Sequence, residues 1–272
     1  RGAHVSAAAA AVATYDATFA GCYDRLFGSL ARLTAPHVVA IHRRMRPEAA
    51  PTFADLCCGT GLVASAFLAR GYSGIAVDVS PSMLDVARRN LREPLEDGRV
   101  RLIESDVLSF QPDAAFSMIT CINRVFNQLP SLDDVRGTMR TAARAAAPGG
   151  LFLFDLATEA GLVAVNGEVI RDLPDALFIM RSSYDAQERA GRQEATGFYL
   201  DDAGGWQRFR FRSPVRALDF AWVRSEMCAA GWSSVRFVAP DFSTVVDAPG
   251  DLESVYVLAE RGAAAASNGH AG

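Results

Sequence analysis

The chain has 272 residues, half of them hydrophobic, and a formal net charge of −4. Its length and hydrophobic content support a large core and exclude global disorder, while the acidic balance disfavours nucleic acid or an anionic membrane as the main partner. Five cysteines, an odd number without Cys-x-x-Cys spacing, indicate no metal site, no disulfide framework and a reducing, cytoplasmic location. No apolar run is long enough to span a membrane.

Strand and helix signals alternate from about residue 50 to residue 157. Helical periodicity separates five apolar runs, at 52–56, 75–79, 100–103, 116–122 and 151–156. Ser80-Pro81 supplies an N-cap followed by proline at the first helical position, and Ser131 with Asp134 three residues later indicates a second helix start. The alternation predicts a parallel sheet covered by helices on both faces.

The pattern changes on either side of this segment. Residues 175–215 alternate polar and apolar, which predicts an antiparallel hairpin or a three-strand meander. An amphipathic helix at 218–230 and two strands, 234–238 and 254–259, complete the predicted fold. The residues before position 50 are mostly helical in pattern.

The first predicted strand runs into a glycine turn, with Gly59, Thr60 and Gly61 opening the next helix. Asp78 ends the following strand. Glycines at such a turn let backbone approach a ligand, and a carboxylate at that position accepts hydrogen bonds from ribose hydroxyls. Gly59 and Gly61 with Ala64 also fit the dinucleotide fingerprint, so a nicotinamide-dependent enzyme stays open.

Asp55 lies inside the first strand, next to the turn. A carboxylate there repels a pyrophosphate and suits an ammonium or sulfonium group instead. A structural alternative is that Asp55 accepts hydrogen bonds from backbone N–H groups of its own turn. Both interpretations remain open at this point.

Four segments, taken together, resemble the motifs of class I S-adenosylmethionine-dependent methyltransferases. They are 55–61 (DLCCGTG), 77–84 (VDVSPSML), 104–107 (ESDV) and 147–152 (APGGLF), in the order and spacing of that family. One departure is Cys57, where the family usually has glycine; the position needs small size and a permissive backbone more than chemistry.

The resemblance implies a cofactor site for S-adenosyl-L-methionine, with S-adenosyl-L-homocysteine as the product. Asp78 would hold the ribose, Asp106 and Val107 the adenine, Met83 would pack on the adenine ring, and Asn123 would contact the amino-acid end. Cys121 is interpreted as a small buried hydrophobic residue of the same region. The implied set comprises Tyr15, Asp55, Cys57, Gly59, Thr60, Gly61, Asp78, Val79, Met83, Asp106, Val107, Cys121 and Asn123.

A second resemblance narrows the group. Segments 154–158 (FDLAT), 181–185 (RSSYD) and 206–209 (WQRF) are similar to glycine and amino-sugar N-methyltransferases, which place an antiparallel insertion over the substrate pocket. The implied fold is α/β: a doubly wound Rossmann-like, mostly parallel seven-stranded sheet with an antiparallel β insertion after strand five and an N-terminal helical lid. The expected division is lid 1–49, cofactor-binding core 50–159, insertion 160–216, C-terminal part of the core 217–261 and disordered tail 262–272.

The function implied is methyl transfer to nitrogen, oxygen or carbon of a small molecule, with natural product biosynthesis as one setting. Candidates for a general base are Tyr23, His37, His42 and Asp155. The alternatives are an NAD(P)-dependent oxidoreductase and a non-catalytic cofactor-binding module. We expect a small-molecule partner, no nucleic acid and no membrane, and we allow a homodimer.

Arginines 208, 210 and 212 alternate with two phenylalanines. On a strand this spacing puts the arginines on one face and the aromatic rings on the other. The arginines could clamp an acidic substrate, but a solvated sheet face is the favoured interpretation.

Overall fold

Two β-sheets organise residues 7–262, the part of the chain that the computed structural model describes. The helices are α1 (Ala7–Thr14), α2 (Ala17–Leu26), α3 (Ser29–Met45), α4 (Leu62–Leu68), α5 (Pro81–Asn90), α6 (Arg92–Glu96), α7 (Val125–Gln128), α8 (Leu132–Ala145), α9 (Glu159–Ala164) and α10 (Phe220–Ala229). The strands are β1 (Thr52–Leu56), β2 (Ser73–Asp78), β3 (Val100–Glu104), β4 (Phe116–Cys121), β5 (Ala146–Ala157), β6 (Gly167–Leu173), β7 (Ala176–Asp185), β8 (Ala190–Leu200), β9 (Trp206–Arg216), β10 (Trp232–Val238), β11 (Val245–Val246) and β12 (Ser254–Arg261). Of the predicted disordered tail, 262–272, residues 263–272 lie outside the described residues, as do the first six residues of the predicted lid.

The larger sheet has the strand order β11-β10-β12-β5-β4-β1-β2-β3. The strands from β5 to β3 in this order are parallel, and β12 and β10 add to them antiparallel. Chain order reverses between β1 and β4, which creates a crevice at the carboxyl ends of these strands. The mostly parallel α/β prediction is therefore confirmed.

The sheet has eight strands in the described residues, one more than the seven expected. The addition is β11, whose two residues pair with Phe237 and Val238. A two-residue strand has no measurable periodicity, so the sequence pattern could not predict it.

Apolar side chains fill the space between the larger sheet and the helices on both of its faces. All six residues of β4 are buried, as parallel strands covered on both faces require. On one side Phe53 stacks on Phe67 of α4 with ring centroids 5.0 Å apart. On the other side Phe152 stacks on Trp232 at 5.3 Å.

Two helices that border the crevice begin as the sequence indicated. The Ser80 hydroxyl accepts a hydrogen bond from the backbone N–H of Met83, and Pro81 occupies the first helical position. Ser131 and Asp134 form a complete capping box at the start of α8. Both caps satisfy backbone N–H groups that would otherwise lack partners.

The smaller sheet is antiparallel, with the order β6-β7-β8-β9, and lies between β5 and α10 along the chain. Its inner face packs on α2, where Phe19 stacks on Phe211 with ring centroids 4.9 Å apart. The sequence predicted at most three strands here. It missed β6 because all seven residues of that strand are exposed and show no burial pattern.

The outer face of β9 carries Arg208, Arg210 and Arg212, all exposed, while Phe209 and Phe211 are buried beneath them. Arg208 and Arg210 match the solvated face that was the favoured interpretation, whereas Arg212 is exposed but also contributes to the wall of the cavity at the carboxyl ends of the parallel strands. None of the helices in residues 7–262 is both long and apolar enough to cross a bilayer.

Candidate functional site

A cavity of about 570 Å³ opens at the carboxyl ends of β1 to β4. The N-terminal helical segment and the ends of β8 and β9 form the rest of its wall. Nine predicted cofactor residues line it: Tyr15, Cys57, Gly59, Asp78, Val79, Met83, Asp106, Val107 and Asn123. Tyr23, a predicted base, also lines the cavity.

The glycine turn after β1 folds against the end of β2. The backbone N–H of Gly59 donates to Oδ2 of Asp78 at 2.7 Å. Gly61 has φ of +79°, and a Cβ added there would lie 2.8 Å from Cδ1 of Leu91. This position therefore requires glycine for both its backbone conformation and its space. Cys57 also has a positive φ, of 55°. Glycine, the residue that the family usually has at this position, adopts such a conformation without strain.

Asp78 connects the turn to the next helix. Its Oδ1 accepts a hydrogen bond from the backbone N–H of Ser80 at 2.9 Å, while Oδ2 holds Gly59. Burial raises the pKa of this carboxyl, and the backbone hydrogen bonds partly oppose the rise. The carboxylate thus reaches the cavity wall in a fixed orientation, suited to accept hydrogen bonds from a bound polyol.

Asp55 lies behind the wall, at the end of β1, and is 1% exposed. Thr120 donates its hydroxyl to Oδ1 at 2.7 Å, whereas Oδ2 has no hydrogen-bond partner among the described residues. Burial raises the pKa of Asp55 to about 7. A buried acceptor without a partner is costly, and a positively charged ligand end, directly or through water, would relieve that cost.

The end of β3 supplies another acidic group to the wall. Asp106 fixes its own turn by accepting a hydrogen bond from the backbone N–H of Leu108 at 2.9 Å. Val107 is buried next to it, and Met83 approaches from α5. The wall here combines apolar surface with a carboxylate, which suits a heteroaromatic ring with an amino group.

The loop after β4 is held in an uncommon conformation. Asn123 and Arg124 have φ of 87° and 60°. Asp155 on β5 accepts hydrogen bonds from both of their backbone N–H groups, at 2.8 Å and 3.0 Å to Oδ1. The Asn123 side-chain amide donates to the hydroxyl of Tyr23. Burial raises the pKa of Tyr23, so its phenol stays protonated at neutral pH.

Polar contacts join the N-terminal helical segment to the cavity. Gln128 accepts hydrogen bonds from the hydroxyls of Tyr15, at 2.9 Å, and Ser213, at 3.0 Å. The Ser80 hydroxyl donates to the carbonyl of Tyr15 at 2.6 Å. One polar side chain thereby links the N-terminal segment, α7 and β9 above the cavity.

Asp24 on α2 forms a second link. Its carboxylate accepts hydrogen bonds from the Thr60 hydroxyl and from the Asn90 side chain, the latter at 2.8 Å. Sequence reasoning did not select Asp24, Gln128 or Ser213. Asp24 directly follows the selected Tyr23. Gln128 ends α7, the short helix that follows the loop of the selected Asn123. Ser213 had no such signal.

Seven predicted site residues do not line the cavity: Asp55, Thr60, Gly61, Cys121, His37, His42 and Asp155. His37 is exposed and stacks on Phe242 with ring centroids 4.7 Å apart. His42 is buried with its Nδ1 2.7 Å from the Tyr72 hydroxyl, and burial lowers its pKa. The structure brings neither histidine to the cavity, because both lie on α3.

The dinucleotide interpretation meets a physical obstacle at the glycine turn. The N–H of Gly59 is already taken by the Asp78 carboxylate, and buried Asp55 lies at the same end of the sheet. Two acids at this position oppose a pyrophosphate, whereas they favour a ligand with ribose hydroxyls and a cationic end. The oxidoreductase alternative is therefore unsupported.

Comparisons with known proteins agree with this geometry. The family described as Methyltransferase domain matches residues 53–150. A dTDP-4-amino-2,3,4,6-tetradeoxy-D-glucose N,N-dimethyltransferase of Saccharopolyspora spinosa is 28% identical over 207 residues, 68% of this chain and 79% of that protein. An S-adenosylmethionine-dependent methyltransferase of Clostridium acetobutylicum has the same fold, with a TM-score of 0.77 at 20% identity over 90% of this chain and 98% of that one.

A ubiquinone biosynthesis O-methyltransferase of Xanthomonas euvesicatoria is 31% identical over 169 residues, which are 60% of this chain and 68% of that protein. This identity covers two thirds of the relative, and the domain match covers the strands beneath the cavity. Together they show membership of the same family and not only a similar fold. The chain belongs to the class I S-adenosylmethionine-dependent methyltransferases and is an enzyme that uses S-adenosylmethionine.

Proposed function

We propose that this enzyme methylates an amine nitrogen of a small molecule. The relative from Saccharopolyspora spinosa is by its name an amino-sugar N,N-dimethyltransferase, and that substrate class is the one we carry to this chain. The observation on which the choice of nitrogen rests is the pair of neutral polar side chains, Tyr23 and Asn123, at the cavity wall.

We assign the cofactor to the residues around the glycine turn. Asp78 would hold the ribose hydroxyls, Asp106 and Val107 the adenine, and Met83 would pack on the ring. Asp55 would balance the positive charge at the methionine end from behind the wall, which fits its unpartnered Oδ2. When bound, S-adenosylmethionine supplies a methyl group already activated by its sulfonium, so the protein contributes mainly geometry and exclusion of water.

Tyr23 and Asn123 would orient the acceptor. The Tyr23 oxygen receives one hydrogen bond from Asn123 and has a further lone pair, and the Asn123 carbonyl oxygen is a second neutral acceptor. Such groups hold an N–H of a neutral amine while leaving the nitrogen lone pair free. Neither group acts as a base at neutral pH, because burial raises the pKa of Tyr23 and keeps its phenol protonated, and because an amide is not basic. A hydroxyl acceptor would need a base.

The other base candidates receive different roles in this proposal. Asp155 would act as a positioning residue that holds the loop of Asn123, and the two histidines of α3 would serve packing. The described part of the N-terminal segment, residues 7–49, would cover the cofactor, and the insertion 160–216 would cover the acceptor. Gln128 would keep these two covers together through Tyr15 and Ser213.

The acceptor atom is tested by measuring S-adenosylhomocysteine formation with paired compounds that differ only in an amino or a hydroxyl group, beginning with amino sugars. We expect turnover with the amine of a pair alone. Turnover with the hydroxyl compound and none with the amine would contradict the choice of nitrogen.

The role of Tyr23 is tested with Tyr23→Phe. Loss of one neutral hydrogen bond should lower kcat/KM about 5- to 100-fold with little change in cofactor affinity. Tyr184→Phe is the matched control, because the buried Tyr184 hydroxyl has no hydrogen-bond partner among the described residues and does not line the cavity. Equal activity of the two variants would exclude an orienting role for Tyr23.

The role of Asp78 is tested by titrating S-adenosylhomocysteine into Asp78→Ala in a calorimeter. Affinity should fall about 5- to 150-fold, equivalent to about 1–3 kcal/mol. Glu104→Ala is the control, since Glu104 ends the neighbouring strand in register with Asp78 but is exposed. Unchanged affinity in Asp78→Ala would refute the ribose assignment.

A further inference from the structure

Two cysteines lie side by side where neighbouring parallel strands end beneath the cavity. Cys121 is the last residue of β4, and Cys57 directly follows β1. The register pairs Asp55 with Thr120, which leaves Cys57 one residue beyond the position opposite Cys121. A strand separation of about 4.8 Å and a rise of about 3.3 Å per residue put the two Cα atoms about 6 Å apart. That separation is within the range that a disulfide spans.

The backbone of Cys57 brings its side chain to the face of the larger sheet that carries Cys121. Side chains on a regular strand alternate between the two faces, but the φ of 55° at Cys57 interrupts that alternation. Leu56, Cys57 and Cys121 therefore contact the same apolar cluster, next to α8. Cys58 packs in the cluster on the other face, next to α4. Contact with the Cys57 thiol, followed by burial, raises the pKa of Cys121 well above its usual range.

The two thiols differ in their access to the cavity. Cys57 is half-buried and lines the cavity, whereas Cys121 has no exposed surface and lies behind Cys57. A reagent in the cavity therefore meets Cys57 first, and Cys121 is placed to react with the product. An accessible cysteine with a second thiol beside it is typical of sites that respond to oxidants.

We propose that Cys57 and Cys121 form a reversible disulfide when the cofactor is not bound, and that this bond weakens cofactor binding. The oxidant is a peroxide, which reaches Cys57 through the cavity. The pair is a modification site outside the methyl transfer itself, since neither thiol has a role in the proposed reaction.

The chemistry takes two steps. The Cys57 sulfur attacks one oxygen of hydrogen peroxide and the O–O bond breaks. Cys57 becomes a sulfenic acid, and the departing hydroxide takes the thiol proton and leaves as water. The Cys121 sulfur then attacks the Cys57 sulfur, and its proton joins the departing oxygen to give a second water. The two thiols lose two electrons and two protons, which the peroxide accepts.

The disulfide displaces Cys57 more than Cys121. Cys121 belongs to a strand whose six residues are all buried, while Cys57 begins the glycine turn. Sulfur atoms in a disulfide are about 2 Å apart, closer than in a nonbonded contact. The displacement reaches Gly59, two residues later, whose N–H donates to Asp78 at 2.7 Å. The turn and the carboxylate that we assign to the cofactor thereby lose their present geometry.

Bound cofactor has the opposite effect, because a ligand that covers Cys57 keeps peroxide away from the thiol. This shielding and the loss of affinity rest on the proposed cofactor assignment. Formation of the disulfide does not rest on it, since the bond is detected by mass in the chain alone. The two parts can therefore fail separately.

The first experiment treats the reduced full chain with hydrogen peroxide, blocks the remaining thiols with iodoacetamide and measures peptide masses after tryptic digestion. We expect a cross-link within one chain between the peptides that contain Cys57 and Cys121, and its loss with dithiothreitol. S-adenosylhomocysteine at ten times its dissociation constant should slow the reaction about tenfold, because about a tenth of the chain is then free.

Variants assign the bond, since Cys58 lies in the same tryptic peptide as Cys57. Cys57→Gly, which suits the positive φ, and Cys121→Ala should each abolish the cross-link. Cys58→Ala is the matched control, because it removes the adjacent thiol on the other face of the sheet, and it should retain the cross-link. Cys228→Ser removes the exposed thiol of α10 and should also retain it. Melting curves check that all variants fold.

Calorimetry with S-adenosylhomocysteine measures the effect on the site. Oxidation should lower the affinity of wild type about tenfold or more, and dithiothreitol should restore it. The same treatment should leave the affinity of Cys57→Gly and Cys121→Ala close to their values before oxidation. Dithiothreitol does not reverse methionine sulfoxide formation, so recovery distinguishes the disulfide from oxidation of Met83 in the cavity wall.

The possible results separate the disulfide from the cofactor assignment. A mass unchanged by peroxide, or oxidation of Cys57 to sulfinic acid without a cross-link, would overturn the proposal. A cross-link that persists in Cys121→Ala would place the bond elsewhere. A disulfide that leaves the affinity of wild type unchanged would contradict the effect on cofactor binding. A reduced chain that does not bind S-adenosylhomocysteine would contradict the cofactor assignment instead, and the mass measurement would still decide on the disulfide.

Discussion

Substitutions of Asp155 distinguish a catalytic role of this residue from a positioning role. It is 2% exposed and accepts hydrogen bonds from the backbone N–H groups of Asn123 and Arg124. Both residues have left-handed backbone conformations, which cost free energy unless neighbouring contacts hold them. Asp155→Ala should therefore release the loop, whereas Asp155→Asn retains an oxygen that can accept the same two hydrogen bonds.

The magnitude follows from those two contacts. A hydrogen bond to a charged group contributes about 1.5–3 kcal/mol, and the two N–H groups are only partly buried, so Asp155→Ala should lose about 2–4 kcal/mol of unfolding free energy. For a chain of this size that corresponds to a fall in Tm of roughly 5–15 °C. Asp155→Asn should lose about half as much or less, because a neutral acceptor makes a weaker bond.

Thermal melts and steady-state kinetics on the two variants decide between the roles. A positioning role predicts that Asp155→Asn keeps most of kcat while Asp155→Ala loses both stability and kcat. A role of Asp155 as general base predicts a large loss of kcat in both variants. It also predicts that kcat of the variants no longer falls toward acidic pH. An inactive Asp155→Asn with wild-type stability would refute the positioning argument.

Three further predictions concern the region around the glycine turn. The pKa of Asp55 is raised from 3.8 to about 7 in the folded chain, so between these pH values the folded state binds more protons than the unfolded state. The free energy of unfolding should therefore fall by up to about 4 kcal/mol as pH rises from 4 to 7. Asp55→Asn should remove this contribution in urea denaturation, and the same dependence of stability on pH in wild type and Asp55→Asn would contradict the reasoning. Asp24→Ala, which cuts the tether between α2 and the turn, should weaken S-adenosylhomocysteine binding about 3- to 30-fold in calorimetry, and unchanged affinity would show that the tether is dispensable. Gly61→Ala combines backbone strain with a contact between the new Cβ and Leu91 at 2.8 Å. It should lower the free energy of unfolding by roughly 1–3 kcal/mol more than Gly98→Ala, because Gly98 also has a positive φ but has open space around it. Equal melting temperatures of the two variants would argue against the contact with Leu91.

Local sequence patterns determined most of the larger sheet. The five parallel strands lie close to their predicted positions, and the helix starts at Ser80 and Ser131 have the predicted caps. Buried parallel strands are continuous apolar runs and caps are short local motifs, so both can be recognised without knowing the fold. The edge strands β6 and β11 could not be recognised in this way, since one is exposed throughout and the other has two residues.

The cavity shows the same division between local and non-local information. The glycine turn with Asp78, and the loop of Asp106, follow their strands directly, so the parallel order of those strands alone brings them together. The histidines of α3 and Asp155 were selected by residue type, and residue type does not reveal which way a side chain points in the fold. Only the structure showed that Asp155 turns toward the loop of Asn123.

The sequence by itself predicted the residues that we assign to the cofactor, because they are consecutive residues at strand ends whose chemistry is visible in short motifs. Tertiary structure decided which segments border the cavity and which contacts join those segments. Tyr15, Gln128 and Ser213 are separated by 113 and 85 residues, yet they share one hydrogen-bonded contact above the cavity. Their meeting depends on how α2 packs against the smaller sheet, and such packing is set by shape and burial over the whole chain rather than by any local pattern.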